Sequence, residues 1–363
     1  MGRVGQGHGP AVRAACATGF VLLAVVLLRH AFVGVNAQAT LHAVEDTGRW
    51  APLALAPFVL IMALDATGMR ILLGTLGRSV PVARLLPIRI ATEALHLTAP
   101  AGFVVADSAT AALLDARCGV PLGEGAVLAV ARKWLVMRAH GTYIVLGATC
   151  GASILAAVSV HFLGNRVLPW AVAASALAPL GLSLGLGTQF GGKPAFGRLY
   201  AALGKLPWAA LRDRLRRARG GAAKVDAHLS RVGASRASTH LATTAFFGAW
   251  LLESVETCIL VRLAGGPLDF RLALAVEVGL SLVRSVANVA PAGLGVQDAS
   301  YAILLKATGL PGDASAAFVL LKRGKELVWI AVGYVLLAML RRPAVQSAVP
   351  AAGSAASARL QRA

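Results

Sequence analysis

Four basic residues stand as two adjacent pairs inside apolar sequence, Arg132-Lys133 and Lys322-Arg323. Side chains of this type bind phosphate and other anions, and arginine can do so through two hydrogen bonds at once. Charged groups are costly in hydrocarbon, so those present usually face a cavity or a partner. The pairs therefore predict contact with an anionic headgroup inside a cavity. Two alternatives stay open: ion pairs with nearby aspartates, or side chains that extend to the membrane interface.

Two aspartates follow sequence breaks of identical composition. Asp107 and Asp298 come shortly after the segments Ala-Pro-Ala-Gly at 99–102 and 290–293, and we expect each to begin a half-helix. The N-terminal end of a helix offers free N–H groups and the positive end of the helix dipole. One interpretation gives the aspartates a direct role on a substrate or a proton. The other is structural, with each acid capping its helix or pairing with the basic residues of the next helix.

Further candidates are polar or small residues around the same breaks. Glu93 lies four residues after Arg89, and Asn288 lies four after Arg284, so each pair shares one helix face. The predicted substrate path is lined by Glu93, Pro100, Gly102, Asp107, Arg132, Lys133, Arg284, Asn288, Pro291, Gly293, Gly295, Gln297, Asp298, Lys322, Arg323 and Glu326.

Motifs of metal and nucleotide sites are missing from the sequence. It contains neither HExxH nor the glycine-rich loop of nucleotide-binding enzymes. The four cysteines are too far apart in the sequence for a CxxC arrangement, and they read as small buried residues. We therefore assign no catalytic residue, no metal ligand and no cofactor.

The composition places these residues in a membrane protein. Of 363 residues, 57% are hydrophobic and only 14% are charged, and the mean hydropathy is +0.70. Soluble domains carry roughly 25% charged residues, so a water-soluble enzyme is excluded, and the apolar fraction excludes a disordered chain. The apolar residues form long blocks, and a transmembrane helix needs about 20 of them. We predict an all-α polytopic membrane protein with about six full transmembrane helices and two broken or re-entrant helical hairpins.

The formal net charge of +19 is concentrated in loops and tails. Basic loops stay on the cytoplasmic side, which places segments 1–13, 77–90, 189–239 and 341–363 there, together with both termini. The basic stretches lack interleaved aromatic residues for stacking bases, so nucleic acid is not an expected partner. Membrane lipids are the expected partners, with anionic lipid at the basic loop 189–239. The sequence does not identify a protein partner.

The same features divide the chain. Residues 1–188 form an N-terminal membrane half, with a first repeat at about 50–160, and 189–239 form the basic loop. Residues 240–340 form the C-terminal membrane half with the second repeat. Residues 341–363, rich in alanine and serine, are predicted to be a disordered tail.

The two breaks belong to an internal repeat. Residues 99–117 and 290–308 are identical at ten of nineteen positions without a gap, and Asp107 aligns with Asp298. After a shift of one residue, 132–133 align with 322–323. Upstream the match is weaker, and both halves have an acid-bearing span (Asp65 in the first; Glu253 and Glu256 in the second). Three predicted spans separate the copies, so they must have opposite orientations, a pattern typical of transporters with a site at the repeat interface.

These motifs carry a resemblance to a known family. The stretches Ala-Pro-Ala-Gly-Leu-Gly-Val-Gln-Asp at 290–298, Gly-Leu-Pro at 309–311 and Leu-Lys-Arg-Gly-Lys-Glu-Leu at 321–327 resemble the C-terminal signature of the lysylphosphatidylglycerol synthase transmembrane (flippase-like) family. Within that family the similarity is greatest to hopanoid-biosynthesis-associated HpnL-type proteins. The chain departs from the family pattern at Ala292, where glycine is typical, and at Asp298, where glutamate is typical.

The resemblance implies an integral protein of the bacterial inner membrane that moves lipids or lipid-linked molecules between leaflets. Fused family members carry a soluble aminoacyl-transferase domain, and the polar segment 189–239 is too short for one, so lysyl transfer is not expected. The leading hypothesis is thus a lipid translocase rather than an enzyme. Two other hypotheses stay open: a membrane-embedded enzyme acting on lipid headgroups, and a non-catalytic subunit of an envelope-lipid assembly.

Overall fold

The computed structural model describes residues 25–29, 31–99, 101–190, 223–287 and 295–341. Over these ranges it is 86% helical and contains no strand, which confirms the all-α class. Four predicted site residues lie outside the described residues: Pro100, Asn288, Pro291 and Gly293. The predicted tail 341–363, apart from its first residue, and most of the basic loop also lie outside them.

Between residues 37 and 150 the structure has five α-helices and a short 3-10 helix. In chain order these are α1 (Ala37–Glu45), the 3-10 helix (Gly48–Ala54), α2 (Ala56–Thr75), α3 (Val82–Thr98), α4 (Gly102–Cys118) and α5 (Leu122–Cys150). Asn36 caps α1 by accepting hydrogen bonds from the backbone N–H groups of Gln38 and Ala39. Gly119 ends α4 at φ 64°, a backbone conformation that glycine adopts without strain.

The remaining helices follow as α6 (Ala152–Leu163), α7 (Leu168–Ser175), α8 (Leu177–Phe190), α9 (Arg236–Leu263), α10 (Phe270–Ala287), α11 (Val296–Ala307) and α12 (Gly312–Arg341). Helices α5 and α6 are joined at Gly151 and bent by 77°. The second half contains four helices, α9 to α12, in the same order as α2 to α5, and each ends 188 to 191 residues after its counterpart.

Three helical stretches in the described part are long and apolar enough to cross a membrane. They are Gly48–Thr75, Leu168–Thr188 and Arg236–Leu263, and the bent pair α5 and α6 can supply a fourth. The sequence predicts about six full spans. Helix α12 has 30 residues, but its uncharged run of 327–340 is shorter than a span, and the first predicted span begins before the described residues.

Both breaks separate two helices, as predicted, although the first pair is longer than the half-length pieces expected. Helices α3 and α4 have 17 residues each, which corresponds to roughly 25 Å of helix. They pack against each other across the turn. Gly102 makes this turn possible, because a Cβ atom there would lie 2.0 Å from the His96 carbonyl oxygen.

The two halves interlock through matched helix pairs. Helix α2 packs along α9, which is its counterpart in the other half. Helix α3 packs on α12, and the corresponding pair α10 and α5 is also in contact. At the α2–α9 interface a Cβ atom on Gly68 would lie 2.4 Å from Cε1 of Phe246, so the two helices can approach this closely only because residue 68 is glycine.

Candidate functional site

A first charge cluster lies between α2, α3 and α5; it consists of Asp65, Arg89, Glu93 and Arg132. Arg132 donates from Nε to Oδ1 of Asp65 at 2.8 Å. The Nε atom of Arg89 lies 3.2 Å from the same carboxylate oxygen. Arg89 also donates from Nη2 to Glu93 at 2.9 Å. One aspartate on α2 thus holds two arginines that come from two other helices.

A second charge cluster lies between α9, α10, α11 and α12. It consists of Glu253, Glu256, Glu277, Arg284, Tyr301, Lys322 and Lys325. The Nζ atom of Lys322 lies 3.5 Å from Glu256 and 3.4 Å from Glu277. Lys325 forms a second ion pair with Glu256. Lys322 therefore connects two carboxylates on neighbouring helices.

Glu277 is the centre of the second charge cluster. Its carboxylate accepts a hydrogen bond from the Tyr301 hydroxyl at 2.6 Å and lies 3.3 Å from Nη2 of Arg284. The hydroxyl of Thr257 also donates to it. Glu277 is 1% exposed. A buried carboxylate loses its hydration and stays ionised only where such partners replace the water.

The two charge clusters are related by the internal repeat. Glu256 stands 191 residues after Asp65, and Lys322 stands 190 after Arg132. These are the offsets that align the two breaks and the two basic pairs. The acid on α2 binds the base on α5, and the acid on α9 binds the base on α12. The same ion pair is thus built twice, from equivalent positions.

The two aspartates that follow the breaks differ in their surroundings. Asp298 is in the first turn of α11 and accepts a hydrogen bond from the Gly295 backbone N–H at 3.1 Å. It also accepts one from Nε of Arg323 at 2.6 Å, and Arg323 pairs with Glu326 as well. Both structural interpretations, helix capping and pairing with the next helix, therefore describe Asp298.

Asp107 lies deeper in its helix than the sequence suggests. Helix α4 begins at Gly102, so Asp107 comes after its first turn and cannot cap it. No described residue forms an ion pair or hydrogen bond with it. Lys133, the counterpart of Arg323, is exposed and places its ammonium 4.8 Å from the ring centroid of Phe103. Asp107 and Lys133 thus interact through their charges without the direct contact that joins Asp298 to Arg323.

Four of the sixteen predicted path residues lie in the two charge clusters, and three more form the contacts around Asp298. Glu93 and Arg132 belong to the first charge cluster, and Arg284 and Lys322 to the second. Gly295 and Gln297 lie at the start of α11, beside Asp298. Gly102 shapes the α3–α4 turn.

Sequence reasoning left the acidic centres of both clusters out of the predicted site. These are Asp65, Glu253, Glu256 and Glu277, together with the hydroxyl of Tyr301. The repeat offset was the signal that pairs Asp65 with Glu256. No such signal exists for Glu277, since the equivalent position in α3 is a leucine, Leu86.

The spacing Gly-x-Ser-x-Gly occurs at 181–185. In serine hydrolases this motif turns sharply from a strand into a helix, so that the serine is exposed. Here it lies within α8, and Ser183 is 1% exposed. The helical context does not support a nucleophile. Among the described residues, no group of three histidine, cysteine or acidic side chains is placed to hold a metal ion.

In chemical terms, the basic residues of both clusters are already neutralised by carboxylates. Arg132, Arg284 and Lys322 already have acidic partners, so an anionic headgroup would have to compete with a carboxylate for them.

Comparison with known proteins supplies the family. The family whose description is Lysylphosphatidylglycerol synthase TM region matches residues 15–349. No curated protein and no solved structure gave a match. The match covers almost the whole chain and includes both breaks and both charge clusters. The chain is a membrane-embedded protein that belongs to the lysylphosphatidylglycerol synthase transmembrane-region family.

Proposed function

We propose that this chain moves a lipid, or a lipid-linked molecule, between the leaflets of a membrane. The observation that carries the proposal is the pair of buried charge clusters at repeat-related positions of an apolar helical bundle. Ionisable side chains inside a membrane protein mark polar pathways, because they are too costly to keep without a role. The family, whose description concerns a lipid, agrees with a lipid as the substrate.

In this proposal the polar headgroup passes along the interface between the two halves. The ion pair between Asp65 and Arg132 closes one side of that interface, and the pair between Glu256 and Lys322 closes the other. Opening one pair while the other stays closed gives the headgroup access from one leaflet at a time. Repeats of opposite orientation are suited to this alternation. The lipid tails would stay in the surrounding hydrocarbon.

The proposal includes several expectations from the sequence. The chain is placed in a bacterial inner membrane with both termini in the cytoplasm, and it forms or breaks no covalent bond. Hopanoid lipids belong among the substrates to be tested, because of the resemblance around 99–133 and 288–327. A substrate of this type would cross downhill or with an ion gradient.

The test is lipid exchange between leaflets in liposomes that contain the purified protein. A fluorescent headgroup on phosphatidylglycerol, phosphatidylethanolamine or a hopanoid reports the fraction that an impermeant reductant can reach. Wild-type protein should raise that fraction above the outer-leaflet fraction of protein-free vesicles. A water-soluble fluorophore trapped inside the vesicles controls for leakage.

The matched variant replaces Asp107 and Asp298 by asparagine. Asp107 has no ion pair to lose among the described residues, and asparagine can still cap α11, so this variant should fold. Loss of exchange in the folded variant supports a direct role of the aspartates. Unchanged exchange contradicts that role. If the wild type exchanges none of the lipids, translocation of them is contradicted, and mass spectrometry of lipids incubated with the protein then tests for a headgroup enzyme.

A further inference from the structure

A surface cleft of about 410 Å³ opens between α5, α8 and the start of α9. Trp134 and Arg138 stand four residues apart on α5 and form one wall. Arg236 and His240 stand four apart on α9 and form the facing wall, together with Thr239. Each wall thus presents one helix face. The cleft is separate from both charge clusters.

The two arginines of the cleft differ from those of the charge clusters. Arg138 and Arg236 form no ion pair with any acid in the described ranges, whereas Arg89, Arg132 and Arg284 all do. The first turn of α9 contains no acidic residue, so the positive end of its dipole is not neutralised. Within the described part of the chain, the cleft therefore has an excess of positive charge that no carboxylate balances.

The cleft wall is held in place by its own contacts. The indole of Trp134 donates from Nε1 to the Ser183 carbonyl at 2.8 Å, and Phe190 packs edge-on with ring centroids 5.1 Å apart. The guanidinium of Arg138 lies 5.1 Å from the Trp134 ring centroid. Gly187 leaves space, since a Cβ atom there would lie 3.3 Å from the indole. A fixed, positively charged wall favours binding, because its side chains lose little conformational entropy when a ligand binds.

An apolar surface continues from the cleft along α8. Leu177 and Leu184 stand seven residues apart on one face of α8 and are 72% and 64% exposed, and Leu184 also lines the cleft. Helix α8 ends and α9 begins beside the cleft, at the two ends of the basic segment 189–239. Arg236 is the first residue of α9, and arginine side chains near the ends of membrane helices extend to the level of the lipid headgroups. The positive cleft and the leucine surface together suit one molecule with an anionic head and an apolar tail.

We propose that this cleft binds an anionic phospholipid, with its phosphate between Arg138 and Arg236 and an acyl chain along α8. Both guanidinium groups can donate to the phosphate, and the exposed His240 can donate to its remaining oxygens or to headgroup hydroxyls. The site holds lipid of the leaflet on the side of the 189–239 loop. This assignment stands whether or not the chain moves lipid across the membrane.

The test is binding of phosphatidylglycerol to the full-length protein in detergent, measured by native mass spectrometry. Phosphatidylcholine and inorganic phosphate serve as the two comparison ligands. Arg138→Gln and Arg236→Gln should each weaken phosphatidylglycerol binding by roughly tenfold, as expected for one lost charged hydrogen bond. Arg262→Gln is the matched control, because it removes an exposed arginine at the other end of α9. Gly187→Leu tests the cleft independently by filling it while all charges remain.

We expect the wild-type protein to bind phosphatidylglycerol tightly and phosphatidylcholine weakly. Binding of phosphatidylglycerol should weaken in Arg138→Gln, Arg236→Gln and Gly187→Leu, and it should not change in Arg262→Gln. Equal loss with Arg262→Gln would show general attraction to a basic protein and overturn the site. Unchanged binding in Arg138→Gln and Arg236→Gln would overturn it as well. If inorganic phosphate competes fully at similar concentration, the site binds the phosphate alone, and the acyl contact along α8 is wrong. Retained helical circular dichroism identifies the variants that fold.

Discussion

Arg132 donates to Asp65 across 2.8 Å, and these two residues occupy the positions that Lys322 and Glu256 occupy in the second half. The pair joins α5 to α2, just as its counterpart joins α12 to α9. Sequence identity is low around Asp65, yet the ionic contact is retained at the same offset. The contact, more than the surrounding sequence, defines the repeat.

Replacing either residue of the Asp65–Arg132 ion pair should destabilise the protein strongly. Asp65→Asn removes the carboxylate that faces both Arg132 and Arg89, and an unpaired buried charge costs about 3 kcal/mol or more. Arg132→Gln should also destabilise, by leaving Asp65 with one partner. We expect the double variant to be more stable than the sum of the single effects predicts, with a coupling free energy of about 1–3 kcal/mol. Unfolding by sodium dodecyl sulfate, followed by circular dichroism, measures each value. Strictly additive effects would show that the contact does not form.

The acidic residues of the second charge cluster should contribute unequally to the free energy of unfolding. Glu277 contacts Lys322, Arg284 and Tyr301 and is 1% exposed, whereas Glu253 has one ion pair at 3.6 Å and lies nearer the surface. Glu277→Gln should therefore cost about 3 kcal/mol of unfolding free energy, and Glu253→Gln less than about 1 kcal/mol. The same denaturant titration compares the two. Equal losses would contradict the central position of Glu277.

The two aspartates that follow the breaks are equivalent in sequence and unequal in structure. Asp298→Asn removes the ion pair with Arg323, so we expect a loss of about 1–2 kcal/mol. Asp107→Asn removes no ion pair among the described residues and should change the unfolding free energy by less than about 0.5 kcal/mol. Thermal unfolding of the purified variants gives the comparison. A larger loss for Asp107→Asn than for Asp298→Asn would reverse this assignment.

Much of the architecture could be predicted from sequence, because hydropathy and breaks report directly on helices. The all-α class and both breaks follow from local patterns, whereas pairing of Asp298 with the following basic residues was one of several alternatives that the sequence left open. The pairing of Arg132 with Asp65 could not be predicted, because Asp65 is 67 residues away and nothing in the local sequence indicates which helix Arg132 faces. Glu277 was missed for a related reason: it has no counterpart in the first half. Partners across helices depend on packing, which periodicity does not specify.

Gly68 should be essential to the contact between the two halves. Its missing side chain lets α2 approach α9, and a Cβ atom there would lie 2.4 Å from Cε1 of Phe246, a buried ring. Gly68→Ala should therefore destabilise the protein by about 1–3 kcal/mol through overpacking, despite the higher helix propensity of alanine. Gly74→Ala is the matched control, because it is on the same helix and a Cβ atom meets nothing within 4 Å. The control should be neutral or slightly stabilising.

The contact with Phe246 can be tested by restoring space from the other helix. Phe246→Leu alone should destabilise, because it leaves a cavity in the core. Combined with Gly68→Ala, the smaller leucine side chain gives the new methyl group room, so the double variant should be more stable than additivity predicts. Thermal unfolding in detergent measures all four proteins under one condition. If Gly68→Ala behaves like Gly74→Ala, the two helices are not in the close contact that joins the halves.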